Sequence, residues 1–425
     1  MNLFSTKTIT QTLGRTLNIR SGEWHVTIAA FMLAFVLMAS YFILRPIRDA
    51  MASDWSDAEV SMLWNLQFFI SAGIVSVYAW LISKVRFKWV VPLVYCCFAL
   101  SFITFYLMTF QSNALIWVEK AFYIWVSAFS LFNLSVFWTF MTDTFSKEQG
   151  ERLFSLIALG ASTGAIVGPM IPLLLAGDIG LHNLMLLAAV GLFLTIPLIL
   201  YISQNKSSNK QNQQIKTQIQ PLKPHWWSGI QSLFKKPYLM GIAIFILLYV
   251  FLGAFIYFQQ KNILAAYSRP ERAEILATID WVVNSLTFIM ALFFASRILK
   301  KCGMGITLAL LPIILTIGMI TLAFAPVVML VLVIQIVRRV GNYAITRPAR
   351  ELLFTQVTRD ERFKSKPVID VAVYRGGDAV SGSLFAFLSE GIGIGLLGLS
   401  LIGASISALW AMVAVWLGKL YKRKT

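Results

Sequence analysis

The sequence predicts an all-α membrane protein with twelve transmembrane helices in two six-helix halves. Three observations carry this. Of its 425 residues, 58% are hydrophobic and only 13% charged, with a mean hydropathy of +0.74, against about 45–50% apolar and about 25% charged for a soluble domain. The apolar residues gather into twelve runs of about 20 residues, the length one helix needs to cross the hydrocarbon. A Gln/Asn/Lys/Ser-rich stretch then separates six runs from six. A soluble enzyme, a fibrous protein and a disulfide-stapled secreted module are excluded at this level.

In chain order the expected spans are 24–44, 60–82, 89–110, 115–141, 153–176, 181–203, 238–259, 276–297, 305–324, 327–346, 368–390 and 394–418. The first lacks a small-residue cleavage site and reads as a retained helix, not a signal peptide. The fifth repeats Gly160, Gly164 and Gly168 every four residues before Pro169 and Pro172, a spacing suited to close helix packing and then a bend. Its Gly160-Ala161-Ser162-Thr163-Gly164 formally matches the nucleophile elbow of hydrolases, which needs a strand-turn-helix and acid and histidine partners; neither is in prospect here.

The expected division is an N-terminal half, 1–203, a cytoplasmic linker, 204–237, and a C-terminal half, 238–425. The linker opens QNKSSNKQNQQIKTQIQ, too polar to bury a core. Its second half places Trp226, Ile230, Leu233 and Phe234 at helical spacing before Lys235 and Lys236, which suits a short helix on the membrane surface. Leu13 and Leu17 give a weaker version ahead of the first span. Each half thus reads as a surface helix followed by six spans, or the likeness is chance in basic juxtamembrane sequence.

The basic residues set the orientation. The N-terminus, every second loop and the C-terminus hold 27 Lys and Arg against seven acids, a net +20; the opposite loops hold five against eight, a net −3. The positive-inside rule places both termini in the cytoplasm. The chain is therefore expected to be multi-pass; that the membrane is a bacterial inner membrane is what the family resemblance described below implies. The charge asymmetry also explains a pI near 9.8 without nucleic acid as partner. Cys96, Cys97 and Cys302, with His25, His182 and His225, have no metal-like spacing. No P-loop, HExxH or EF-hand motif occurs, so no cofactor and no ATP-driven pumping are expected.

Eight charged residues lie inside spans, apart from Arg297 and Glu390, which stand at span ends and are counted with the loops: Glu119, Lys120, Asp280, Arg338, Arg339, Asp370, Arg375 and Asp378. Such charges are costly in hydrocarbon and normally face a cavity or a partner. At 100° per residue Arg338, Arg339, Asn342, Thr346 and Arg350 fall within about 120° of one another, and Asp370, Tyr374, Arg375 and Asp378 within about 140°. Asp280 and Asn284 share a face of span eight. The expectation is a polar cavity lined mainly by the second half, the bland alternative being ion pairs that lock helices together. Guanidinium groups bind phosphate or carboxylate with paired hydrogen bonds, so an anion is the expected guest. Asp280, Asp370 and Asp378 are candidates for coupling a proton or sodium, or for orienting the arginines.

Three segments carry a family resemblance. The end of span one reads YFILRPIRDAM, spans four to five read FWTFMTDTFSKEQGERLFSLIALGASTGAIVGP, and the approach to span eleven reads TRPARELLFTQVTRDERFKSKPVIDVAVYRGGDAVSG. They resemble the nucleotide (ATP/ADP or NTP/NDP) exchange transporters of plastids and intracellular bacteria, especially the shorter bacterial members, within the major facilitator-like superfamily. The matching positions are Tyr41, Leu44, Arg45 and Asp49; Phe137, Trp138, Glu151, Arg152 and Phe154; and Lys366, Ile369, Asp370 and Arg375. Where that family's first element has lysine this chain has Arg48, which keeps the charge but replaces a point charge by a fork. The loop SKVRFK also lacks the glycine and aspartate of the ordinary facilitator motif.

Together these readings give a secondary active transporter working by alternating access on an organic anion, by exchange or proton coupling. The resemblance implies a nucleotide or another phosphorylated metabolite. Arg338, Arg339, Asn342 and Arg375 are the candidate binding residues, Arg45 and Arg48 an outer gate, and Asp280, Asp370 and Asp378 the coupling or orienting carboxylates. Two other readings stay open: a proton-coupled exporter of amphipathic or cationic compounds, and a non-transporting scaffold or sensor that kept the fold.

Overall fold

The computed structural model describes residues 20, 23–84, 87–109, 116–205, 236–358, 361, 365–366 and 368–424. Residues 1–19 and 206–235, with the surface helix expected near Trp226, lie outside the described residues. The described chain is helical. In order it forms α1 (Trp24–Ala52), α2 (Asp57–Lys84), α3 (Phe87–Thr109), α4 (Ile116–Thr144) and a 58-residue run, Lys147–Gln204. That run breaks at Gly180, whose φ of 77° and ψ of 161° no helix contains, and so makes two spans, α5 (147–179) and α6 (181–204). There follow α7 (Pro237–Leu264), α8 (Arg269–Phe293), α9 (Ala295–Phe324, itself broken at Gly303, φ 73° and ψ 170°), α10 (Val328–Gly341), α11 (Tyr374–Ala386) and α12 (Leu396–Lys424).

Among the described residues nine such runs are long and apolar enough to cross a membrane, Lys147–Gln204 being counted once although it holds two spans. α2 and α11 are not among them; α11 has only 13 residues and carries Arg375 and Asp378, with Asp370 on its approach. Around it the helix also widens. Wide-pitched π turns cover Asn342–Thr346 after α10, Val368–Val373 before α11 and Phe387–Gly391 after it. Such turns break the regular bond ladder and are frequent where helices carry function. Past the first of them the chain continues helical through Arg347–Leu353, so span ten runs beyond the 346 expected of it.

The described residues form two compact units. One takes in those as far as Arg48, those between Gly73 and Pro221, and Ala273–Trp281. Its core is built on α5 against α1. A methyl group on Gly160, Gly164 or Gly168 would stand 2.3, 2.2 and 2.7 Å from the carbonyl oxygens of Phe31, Phe35 and Ala39. The backbones therefore touch, which is the packing the four-residue glycine repeat predicts. Phe98, Phe102, Phe122 and Phe129 fill the space between α3 and α4, and the buried Asn133 amide donates to the Leu37 carbonyl at 3.1 Å. At the end where α1 and α5 begin, Arg152 grips the Glu23 carboxylate with two bonds of 2.9 and 3.1 Å.

The other unit takes in Asp49–Ala72, the described residues between Leu222 and Arg272, and Val282–Thr425. α9 and α12 lie so close that a methyl on Gly418 would stand 2.1 Å from the Gly305 Cα. Phe245 and Tyr249 pack as tilted rings on Trp410 in this unit's core, with Leu308, Leu315, Met319, Ile334 and Leu353 in the same cluster. Lys236, at the head of α7, pairs with Glu361 on the approach to α11.

Candidate functional site

Within the first unit the sequence candidates Arg45, Arg48 and Asp280 come together in part. Arg45 and Arg48 stand one turn apart on α1, either side of Pro46, whose ring removes one bond of the helix ladder there. The Arg45 guanidinium lies 3.2 Å from the Asp280 carboxylate on α8, and Asp280 is almost wholly buried. Arg48 donates to the Ser127 hydroxyl at 2.9 Å and covers the Tyr123 ring at 5.1 Å. The sequence reading grouped Asp280 with the arginines of the second half; the structure shows its partner on α1. It packs with the first unit and its charge is met by Arg45. Sequence faces could not show this, because a helical wheel places a residue on a side of its own helix and does not choose the helix opposite.

Within the second unit a separate cluster forms. Arg338 donates from Nε to the Gln335 side chain at 3.0 Å and from Nη1 to the Tyr249 hydroxyl at 3.3 Å, with its guanidinium 5.6 Å from the Tyr249 ring centre. Gly253, one turn further along α7, leaves room for it: a methyl there would stand 2.8 Å from Nη1. Tyr374 lies 6.4 Å from Tyr249, ring to ring. Arg375 and Asp378, one turn apart on α11, face each other at 4.0 Å with 23% and 31% of their side chains accessible. Asp378 feels the charges of both Arg375 and Arg338, and Tyr249 those of Arg338, Arg339 and Asp378. Arg339 is buried, and Asn342, also buried, opens the first π turn.

The structure thus gathers Arg338, Arg339, Arg375 and Asp378 into one electrostatic neighbourhood, with Asn342 one turn from Arg338. The side chain of Asp370 lies outside the described residues; its backbone is in the second π turn. Tyr249, Tyr374, Gln335 and Gly253 are the members that sequence reasoning did not nominate, except that Tyr374 appeared on the predicted face of span eleven. Chemically the neighbourhood is a set of guanidinium donors on tyrosine rings beside one carboxylate. That inventory suits an anion with a polar group of its own. Among the described residues no group of His, Cys, Asp and Glu is arranged to hold a metal ion.

Comparison with known proteins gives the following. The profile described as Major Facilitator Superfamily matches residues 30–362. No curated protein sequence matches the chain significantly. Among solved structures, the nucleoside transporter NupG aligns over 94% of this chain and 99% of its own, at 13% identity and a TM-score of 0.65. A POT family transporter in complex with 5-aminolevulinic acid aligns over 93% and 96%, at 13% identity and 0.62. A bacterial homolog of the human lysosomal transporter Spinster, inward-facing and unoccupied, aligns over 95% and 97%, at 12% identity and 0.59.

Proposed function

The chain belongs to the major facilitator superfamily, and on that premise we propose that it is a secondary active transporter of an organic anion, by exchange or proton coupling. Both termini then lie on the cytoplasmic side of a bacterial inner membrane, as the net +20 and −3 of the two loop sets support. The observation that carries the anion is Arg338. Its guanidinium is aimed by Gln335 and Tyr249 and given space by Gly253, with Arg375 and Asp378 in the same neighbourhood. A charge fixed from two sides is poised to receive a ligand without reordering, and that lowers the entropic cost of binding.

Within the anion class, the resemblance of Tyr41, Leu44, Arg45 and Asp49, and of Lys366, Ile369, Asp370 and Arg375, to the nucleotide exchangers supports a nucleotide or another phosphorylated metabolite. Asp280 and Asp378 are the carboxylates through which a proton would be coupled. Asp280 would do so by releasing Arg45 when it is protonated.

The test is a thermal-stability screen of detergent-purified protein against nucleotides, phosphorylated metabolites, dicarboxylates and cationic drugs. A ligand at about a hundred times its Kd stabilises by about 2.7 kcal/mol. The expected result is a shift with phosphorylated compounds that Arg338→Gln abolishes without lowering the unliganded melting point. A shift with cations alone would overturn the anion reading and favour an exporter built on the acids.

A further inference from the structure

Asp378 is badly placed for a plain anion. It stands one turn after Arg375 on α11 and within electrostatic reach of Arg338. An anion held by those two guanidinium groups therefore also meets a carboxylate, and like charges away from bulk water repel strongly. The repulsion is relieved when the ligand brings a positive group that Asp378 can accept from.

The geometry leaves both ends of such an exchange open. Arg375 and Asp378 approach only to 4.0 Å, with 23% and 31% of their side chains accessible. A hydrogen-bonded ion pair closes to about 2.7–2.9 Å, so this is a charge contact without a hydrogen bond. Arg152 and Glu23, which fasten two elements, do close to 2.9 Å. Arg375 and Asp378 share one short helix and fasten none. Among the described residues no hydrogen bond reaches the Asp378 carboxylate; its backbone carbonyl accepts from Ser381 at 3.2 Å. Arg338 commits Nε to Gln335 and Nη1 to Tyr249, and its Nη2 has no hydrogen bond among the described residues. Tyr374 stands one turn before Asp378, at the spacing that makes side chains neighbours on a helix. A tyrosine ring beside a carboxylate favours a cation, which the ring face also attracts.

We propose that the site takes a zwitterion: an organic phosphate or carboxylate whose ammonium group is held by Asp378. The anionic end goes to Arg338 and Arg375. The ammonium takes the place of Arg375 against Asp378, with the Tyr374 ring alongside. Each member of the loose pair exchanges its neighbour for a ligand group, and no charge is stranded. Arg338 and Arg375 thus supply binding and Asp378 supplies specificity. This inference rests on the anion reading above and narrows it. The coupling role proposed for Asp378 then belongs to the state without ligand.

The experiment uses the full chain purified in detergent and measures affinity by thermal shift against concentration. The probes are two matched pairs that differ in an ammonium group: phosphoethanolamine with ethyl phosphate, and aspartate with succinate. One pair tests a phosphate end and the other a carboxylate end. In at least one pair the ammonium-bearing member should bind at least about tenfold tighter, the order of one hydrogen bond between charged groups. Asp378→Asn should then act oppositely on the two members. The zwitterion should lose about tenfold, and the amine-free anion, relieved of a nearby carboxylate, should bind more tightly. Equal weakening of both members would make Asp378 a structural residue and overturn its assignment. Equal affinity within each pair that binds would overturn the zwitterion and leave the anion reading standing. That comparison needs only the parent protein, so it decides even if Asp378→Asn does not fold. Silence from all four probes would also overturn the zwitterion. The screen above judges the anion reading on its own compounds, so the two failures stay separate.

Discussion

The buried pair of Arg45 and Asp280 offers the sharpest separation of charge from packing. At 3.2 Å and an effective dielectric of about 20 the attraction is about 5 kcal/mol, which offsets the desolvation of two groups that are 20% and 4% accessible. The net value of the intact pair is therefore small, whereas removing one member leaves the other charged and unmatched, at a cost of about 3–5 kcal/mol. Asp280→Leu and Arg45→Met should each lower stability by that amount, and the double variant should recover most of it. The assay is thermal or denaturant unfolding of the four purified proteins as a double-mutant cycle, with a coupling energy of about 3 kcal/mol expected. The transport readout then separates roles. If Asp280 couples a proton, the double variant should still exchange substrate across the membrane while losing accumulation against a gradient. Four proteins of equal stability would refute the pairing. Single and double variants that are equally damaged would show that the residues matter for packing alone.

Arg338→Lys keeps the charge but gives up the aimed contacts with Gln335 and Tyr249, so the uptake KM should rise by about tenfold or more while expression is unchanged. Gly253→Ala puts a methyl 2.8 Å from the Arg338 Nη1 and should weaken uptake with less than about 1 kcal/mol effect on unfolding, because a side-chain end can yield. Gly164→Ala meets the Phe35 backbone at 2.2 Å, which cannot yield, and should destabilise by about 1–3 kcal/mol in the same unfolding measurement. Burial pushes the Asp54 carboxyl upward, but hydrogen bonds from Arg272 and Arg269 outweigh it and hold the group below its usual range. A carboxyl lowered in the folded state stabilises fully above its unfolded value and loses that stabilisation as pH falls through the folded one. The melting-point gap between the parent and Asp54→Asn should thus be flat from about pH 8 to pH 5 and narrow below about pH 4.

The order of the spans and the packing role of Gly160, Gly164 and Gly168 were legible because both are local: hydropathy and a four-residue period are properties of one stretch of chain. Arg338, Arg339 and Arg375 were conspicuous for the same reason, as charges inside apolar runs. What stayed hidden depends on partners distant in sequence. Asp280 and Arg45 are separated by 235 positions, and no pattern within span eight names α1 as its neighbour. Tyr249 and Gly253 look like any other residues of an apolar helix until Arg338 is laid across them. Asp54, Asp57, Lys261, Arg269, Arg272 and Glu390 entered the sequence reading only as counts of outer charge. One signal was present: Ser56-Asp-Ala-Glu59 has the capping-box spacing, which marks the N-terminus of α2 as a built structure.

The α1–α5 seam of the first unit and the α11 seams of the second solve the same packing problem in different ways, and the difference bears on where movement resides. In the first, α5 meets α1 backbone to backbone, because glycines at three successive turns seat it on the Phe31, Phe35 and Ala39 carbonyls. A seam of that kind has one register and little freedom. In the second, Gly377 and Gly382 of α11 face side chains: a methyl at Gly377 would meet Leu247 and Val250 of α7 at 3.1 Å, and one at Gly382 would meet Trp64 at 3.0 Å. Side chains have alternative rotamers and backbone does not, so this seam can slip where the other cannot. α11 is bracketed by two π turns and carries Tyr374, Arg375 and Asp378 near its start and Glu390 just beyond its end. A ligand that holds Arg375 differently in two states would bias the position of this helix.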